Sequence, residues 1–241
     1  MVPRGKLHIG TCGWHYKDWI GPFYPAGSRA SDLLRLYAGR FDGVEIDSSF
    51  YRLPPAASLQ RWRTSTPADF VFTCKASRFI THMKKLKDPA QSLPPFLERM
   101  SLLGDKLKAV VFQLPPRWRC NVARLERFLT MLPDGPRCAF EFRDESWFQP
   151  AVYEALRARG AGFCIYDLAG RRAPPEVTGP FVYLRLHGPR EAYAGAYGPR
   201  RLSRLAAQID AGGRRASMSS SSSTTMQRAM RRETPSGSKG G

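Results

Sequence analysis

Residues 138–143 read Cys-Ala-Phe-Glu-Phe-Arg, a short apolar run that closes on a glutamate and an arginine, and residues 150–159 behind it carry a helical pattern. The same alternation of a β-branched or aromatic run with a helical stretch recurs along the chain, the pattern of βα units feeding a parallel sheet. The other runs are Leu7–Thr11, Gly43–Asp47, Phe70–Lys75, Ala109–Leu114, Gly162–Asp167 and Phe181–Leu186, with Cys138–Phe142 among them. Helical stretches lie between. Ser31–Arg40 places Leu33, Leu34, Tyr37 and Ala38 on one face; Pro95–Leu103 and Val122–Leu132 show the same spacing, and Pro150–Arg159 and Pro199–Asp210 complete the set. The expected fold is α/β, a TIM-type (β/α)8 barrel.

A chain of 241 residues, 42% hydrophobic, suits such a barrel as a single unit. Seven strands fall short of the eight that close it. After Asp210 the expected strand is missing, and Ala211–Gly241 brings a serine run at Ser219–Ser223 and a glycine-rich finish. The division expected is a barrel over 1–210 and an aberrant, disordered tail over 211–241.

No apolar run approaches the roughly 18 residues of a membrane span, and the N-terminus has no signal-peptide core, so no membrane partner and a cytoplasmic location are expected. Cys12, Cys74, Cys120, Cys138 and Cys164 form no CxxC pair, which fits reduced thiols. The net charge is +18; residues 214–241 hold six Lys+Arg and one Glu, so the tail supplies +5 and residues 1–213 supply +13. That charge leaves two readings open, a polyanion partner such as nucleic acid or an arginine-rich solvated surface. The oligomeric state is not legible.

In barrels of this class the C-terminal strand ends face the active site. Here they carry Cys12-Gly13-Trp14, Glu45-Ile46-Asp47, Lys75, Gln113, Glu141-Phe142-Arg143, Asp167 and Arg185-Leu186-His187. Parallel sheets are usually continuously apolar inside, so a polar group at nearly every strand end points to a pocket; the competing reading is structural ion pairing within the barrel. Glu45 and Glu141 are candidates for paired acid–base work or metal ligation, and His187, before Gly188, is the third catalytic candidate. Lys75, Arg143 and Arg185 suit a carboxylate or phosphate. Asp47, His82 and Gln113 are further binding candidates, and Trp14, Tyr16, Tyr51 and Trp147 are candidate stacking surfaces, although aromatics at this density are more often core. His8 and His15 read as structural. No GxxxxGK[ST], GxGxxG or HExxH occurs, so no nucleotide cofactor is expected; a divalent metal stays open.

Taken together, Gly10-Thr11-Cys12-Gly13-Trp14-His15-Tyr16, Val44-Glu45-Ile46-Asp47-Ser48-Ser49-Phe50-Tyr51-Arg52-Leu53-Pro54, Ile80-Thr81-His82, Gln113-Leu114-Pro115-Pro116, Glu141-Phe142-Arg143, Ser146-Trp147 and Tyr183-Leu184-Arg185-Leu186-His187-Gly188 form a series. In it the chain resembles the YecE-like family, domain of unknown function 72, over roughly residues 7–210. The resemblance implies a TIM-type barrel and a cytoplasmic, mostly prokaryotic protein. It brings no established activity; the family has been compared with apurinic endonucleases of the endonuclease IV kind. Asp47 stands where the family usually carries Asn. The family also continues with an eighth strand, a Phe-Asn-Asn-Asp segment and a Gly-His, none of which is in Ala211–Gly241. Serine written TCN, read one base earlier, encodes only Phe, Leu, Ile or Val, and a permitted encoding of the stretch to Met230 yields Phe-Asn-Asn-Asp-Ala-Glu-Gly-His. A frameshift near residues 210–217 is therefore expected, leaving open sheet edges and a destabilised product.

Three functions follow as expectations. The first is a hydrolase or phosphodiesterase-like enzyme on a phosphate-bearing or nucleic-acid substrate, with Glu45, Glu141 and His187 in acid–base or metal roles. The second is a non-catalytic binding module for a small anion or single-stranded nucleic acid. The third is a sugar-processing barrel using the Glu45–Glu141 pair.

Overall fold

The computed structural model describes residues 6–192 and 195–207, together with the backbone of Thr224–Arg228. Seven parallel strands curl around one axis: β1 (Leu7–Cys12), β2 (Gly43–Ile46), β3 (Val71–Lys75), β4 (Leu107–Gln113), β5 (Arg137–Glu141), β6 (Gly162–Leu168) and, after the two-residue antiparallel β7 (Arg171–Arg172), β8 (Tyr183–Leu186). Helices α1 (Leu33–Ala38), α2 (Ala56–Thr64), α3 (Pro89–Ser101), α4 (Val122–Leu129), α5 (Pro150–Arg159) and residues 199–207 pack outside. The mostly parallel α/β architecture is TIM-like, as expected.

The seven expected strands are all present, and besides β7 one further backbone segment joins the sheet. The backbone of β9 (Thr224–Arg228) pairs in parallel with β1, Leu7 opposite Thr224, and with β8, Tyr183 opposite Thr225. It occupies the place of the eighth strand, so the sheet has no open edge between β1 and β8. Two neighbouring edges with unmade backbone hydrogen bonds recruit a strand for its N–H and C=O groups, which every residue carries, and so tolerate a polar sequence. Residues 208–223 and 229–241, where the rest of the expected tail falls, lie outside the described residues.

Strand alternation divides the side chains. Val44, Ile46, Phe72, Val110, Phe112, Phe140 and Phe142 point outward into the main core with Leu33, Tyr37, Leu59, Phe96, Leu125, Phe128 and Leu156 of the helices. Ala109, Val111, Ala139, Cys164, Phe181 and Tyr183 form a separate cluster inside the barrel. The small Ala109, Ala139 and Cys164 leave room for the two rings. β1 and β2 approach unusually closely: a Cβ on Gly10 would sit 2.0 Å from the Gly43 carbonyl oxygen, so only glycine fits there. Among the described residues no helix is long and apolar enough to cross a membrane.

Helix α2 was not expected, because it is rich in Arg and Gln and buries only Leu59. Helix α3 begins six residues before the expected Pro95, since Pro89 opens it and Pro94 and Pro95 are accommodated inside. Pro89 costs little at the helix start, because first-turn N–H groups have no helical partner, whereas Pro94 and Pro95, in the second turn, each forgo a helical hydrogen bond.

Candidate functional site

Because side chains alternate along a strand, Glu45 of β2, Thr73 and Lys75 of β3, Gln113 of β4, Glu141 of β5, and Tyr183 and Arg185 of β8 share the barrel interior with the cluster beneath them. Arg185 is the centre. Its Nη2 donates to Glu45 Oε1 at 2.6 Å and to Cys12 Sγ at 3.5 Å; its Nη1 donates to Glu141 Oε2 at 2.5 Å and to Gln113 Oε1 at 3.4 Å. Both glutamates are fully buried and Arg185 is 2% exposed. The Tyr183 hydroxyl lies 2.8 Å from Glu45 Oε2 and 2.9 Å from Thr73 Oγ1.

These contacts set the protonation states. Burial alone would raise Glu141, but the guanidinium groups of Arg185 and Arg143 overcome it and hold the carboxyl well below the usual range. Burial disfavours the charged form of Arg185, and Glu45 and Glu141 outweigh it, so the guanidinium is held more firmly protonated than usual. Burial, reinforced by Arg185, pushes the His187 imidazole down to about 3, against the opposing pull of Glu141. His187 is therefore neutral at pH 7. Burial and the neighbouring Glu45 raise the Cys12 thiol, which is not a thiolate near neutrality.

Above this layer lies a rim. Arg143 donates through Nε to Glu141 Oε1, and its guanidinium carbon sits 4.6 Å from the Tyr166 ring centroid. Its two Nη groups make no protein hydrogen bond among the described residues. With Arg117, Arg171, Asp144, Glu145, Tyr166 and Pro116, Arg143 lines a cleft of about 730 Å³. Arg117 holds a left-handed backbone, φ 60°, which a non-glycine residue adopts at a cost. Across the mouth, Lys75 Nζ lies 3.4 Å from Asp47 Oδ1 and 4.3 Å from the Phe50 ring centroid, and His82 packs edge-on against Phe50. Thr81 Oγ1 is 2.9 Å from His82 Nδ1.

The strand-end residues thus fall into groups. Glu45, Glu141, Gln113, Arg143 and Arg185 are one connected network with His187 beside it, and Asp47, Lys75 and His82 form a second group around Phe50. Trp147 belongs to neither. It is fully buried, stacked on Phe142 at 4.8 Å with Nε1 donating to the Trp118 carbonyl at 2.7 Å, so its ring is core and offers no stacking face. Trp14 is half-buried, edge-on to Trp62 at 4.9 Å. Tyr16 is exposed, its hydroxyl on the Cys12 carbonyl, and Tyr51 is 69% exposed. Gly188 has φ 108° and its N–H donates to the Tyr197 hydroxyl at 3.1 Å, a conformation that explains the glycine without a ligand. The sequence reading missed Tyr183, Arg117, Arg171 and Tyr166. Tyr183 was legible from the period of two that also turns Arg185 inward; the loop residues carried no such signal. Among the described residues no three His, Cys, Asp or Glu side chains converge on a metal position.

The family model for "Protein of unknown function DUF72" matches residues 8–230. The chain belongs to the DUF72 family. UPF0759 protein YunF of Bacillus subtilis (strain 168) is 35% identical over 157 residues, 61% of this chain and 54% of that protein. UPF0759 protein YecE of Escherichia coli (strain K12) is 29% identical over 158 residues, 64% of this chain and 54% of that one. The chain spans about half the length of the curated relatives it matches. The crystal structure of a DUF72 family protein from Thermotoga maritima MSB8 superposes with a TM-score of 0.79 at 27% identity, covering 93% of this chain and 92% of that one. A second DUF72 protein, from Enterococcus faecalis V583, shares the fold at a TM-score of 0.73 and 20% identity, covering 96% and 93%.

Proposed function

We propose that the mouth of this DUF72 barrel binds a small phosphate-bearing anion, and that the buried glutamates position the arginines and take no part in proton transfer. The carrying observation is the geometry of Arg143. Its Nε is fixed by Glu141 and its face covers Tyr166, while its Nη edge is left to a cleft shared with Arg117 and Arg171. A guanidinium held in this way presents a preorganised two-pronged donor to a phosphate or carboxylate.

Hydrolysis of such a ligand is the second reading. It is favoured by His187, a buried imidazole on which the charges of Arg185, Arg143 and Lys75 all act. With its basicity so depressed, His187 becomes an effective proton acceptor only when a bound anion offsets those cations. Glu45 and Glu141 are close enough, bridged by one guanidinium, for the carboxyl spacing of about 10 Å or less found in glycosidases. Both are enclosed and bonded, so neither faces a sugar, and the sugar-processing reading falls behind.

Calorimetric titration with inorganic phosphate and pyrophosphate tests the proposal. Arg143→Ala should weaken binding about tenfold or more, the scale of one lost charge-assisted bidentate contact. Equal affinity in wild type and Arg143→Ala overturns the site. Turnover of a phosphodiester that His187→Gln abolishes would move the conclusion from binding to hydrolysis.

A further inference from the structure

Three of the strand-end carboxylates, Glu45, Asp47 and Glu141, balance the three cations Lys75, Arg143 and Arg185, so the basic excess of the chain resides outside the barrel axis. One exterior segment concentrates it beside exposed rings. Residues 78–87 read Arg-Phe-Ile-Thr-His-Met-Lys-Lys-Leu-Lys, and Phe79–Met83 form a π-turn, a rare conformation that recurs at functional positions. The chain then passes through left-handed backbone at Lys85 (φ 48°), Leu86 (φ 62°) and Asp88 (φ 49°). Each such residue costs on the order of 1 kcal/mol, and three together persist only where the surroundings impose them. Leu86 is the anchor: it is 1% exposed and its N–H donates to the Ile80 carbonyl at 3.0 Å. Burying Leu86 holds Lys85 and Lys87, on either side of it, at the surface.

Lys84 is paired with Asp88 at 3.0 Å. Arg78, Lys85 and Lys87 are exposed and have no ion-pair partner among the described residues. Beside them Phe79 is 44%, Met83 64% and Tyr51 69% exposed. The His82 and Phe50 rings connect this patch to the mouth.

We infer that this π-turn segment, with Tyr51, docks single-stranded nucleic acid outside the barrel, its phosphates on Arg78, Lys85 and Lys87 and its bases on Tyr51 and Phe79. Charge complementarity selects a polyanion, and exposed flat rings between cations select unpaired bases, which stack without regard to sequence. An anionic membrane fits less well. Insertion needs one continuous apolar face, whereas Phe79 has the Lys84 ammonium 5.8 Å from its centroid. The surface is separate from the Arg143 cleft, so it stands or falls independently of the small-anion site.

The test is fluorescence anisotropy of the full chain with a labelled oligothymidylate between 50 and 200 mM salt. Three phosphate contacts predict a log–log salt slope of about −2. Tyr51→Ala should weaken binding about tenfold. The triple variant Arg78→Glu, Lys85→Glu, Lys87→Glu should abolish it with an unchanged circular-dichroism melt, since all three side chains are exposed. Arg143→Ala should leave it within about twofold. The inference is overturned if the triple variant binds like wild type or if Tyr51→Ala has no effect. It is equally overturned if Arg143→Ala matches the triple variant, or if the protein binds phosphatidylserine vesicles and not the oligonucleotide.

Discussion

The barrel axis and the barrel rim use the same residue types to opposite ends. On the axis Arg185 is sealed between Glu45 and Glu141 at 2.6 and 2.5 Å, all three out of contact with water. At the rim Lys75 stands 3.4 Å from a half-exposed Asp47, and Arg143 spends one nitrogen on Glu141 while its remaining edge faces the cleft. Charges enclosed on the axis are held mainly by each other, and of their polar atoms only Arg185 Nε has no hydrogen bond to the described residues; Lys75 and Arg143, largely buried but at the mouth, have one carboxylate partner each and keep donors to spare. The axis network is therefore a floor, and in the proposed function recognition falls to the groups standing on it.

The sharpest way to break this contrast is Arg185→Met. Two carboxylates would be left buried without their cation, and removing one partner of such a network typically costs about 3–5 kcal/mol. Urea unfolding should show that loss in full. The triple variant Glu45→Gln, Arg185→Met, Glu141→Gln should regain much of it, because the uncompensated charge is then gone. If Arg185→Met is as stable as wild type, the axis is hydrated and open, and the two glutamates return as candidate acids.

A smaller effect appears in pH. His187 titrates near 3 when folded, against about 6.5 in an unfolded chain, because burial and Arg185 disfavour its charged form. Between those values the unfolded state binds the extra proton, so stability is complete above about 6.5 and falls as pH drops. The slope contributed is at most about 1.4 kcal/mol per pH unit. Glu141, held low, adds its own loss only below the ordinary carboxylate range near 4.3. Urea unfolding at pH 7 and pH 5 isolates the histidine part: His187→Gln should flatten the difference, with a residue from His8 and His82, which burial also lowers. An unchanged slope in His187→Gln would mean that His187 is in contact with water and belongs to the rim.

How much of this was legible in the sequence follows from distance along the chain. The seven strands and the polar character of their ends depend on local pattern, and Glu141 and Arg143, two residues apart, announce themselves together. The pairing of Arg185 with Glu45 spans 140 positions and exists only because the sheet closes. Nothing local distinguishes a glutamate that will meet that arginine from one that will meet a substrate. Trp147 failed for a related reason: a ring in the short helical turn after a strand reads the same whether it floors a pocket or, as here, stacks on Phe142. The β9 pairing was missed because the polar Thr224–Arg228 carries no strand pattern, and its place is set by the two edges it joins.

Lys75→Met should give the smallest change in stability and the clearest separation of the two regions. Its ion pair with Asp47 is partly solvated and its contact with Phe50 is a cation–π interaction, each worth about 1 kcal/mol or less, and the methionine stem replaces much of the packing. The melt should shift by only a few degrees. Phosphate affinity should fall severalfold, because Lys75 brings a cation to the mouth opposite Arg143. A variant that melts almost normally yet binds poorly is the signature of a rim residue, the reverse of what Arg185→Met would give. Should Lys75→Met instead unfold the protein while leaving affinity intact, the line between floor and rim would have to be drawn one layer higher, above β3 and not at its end.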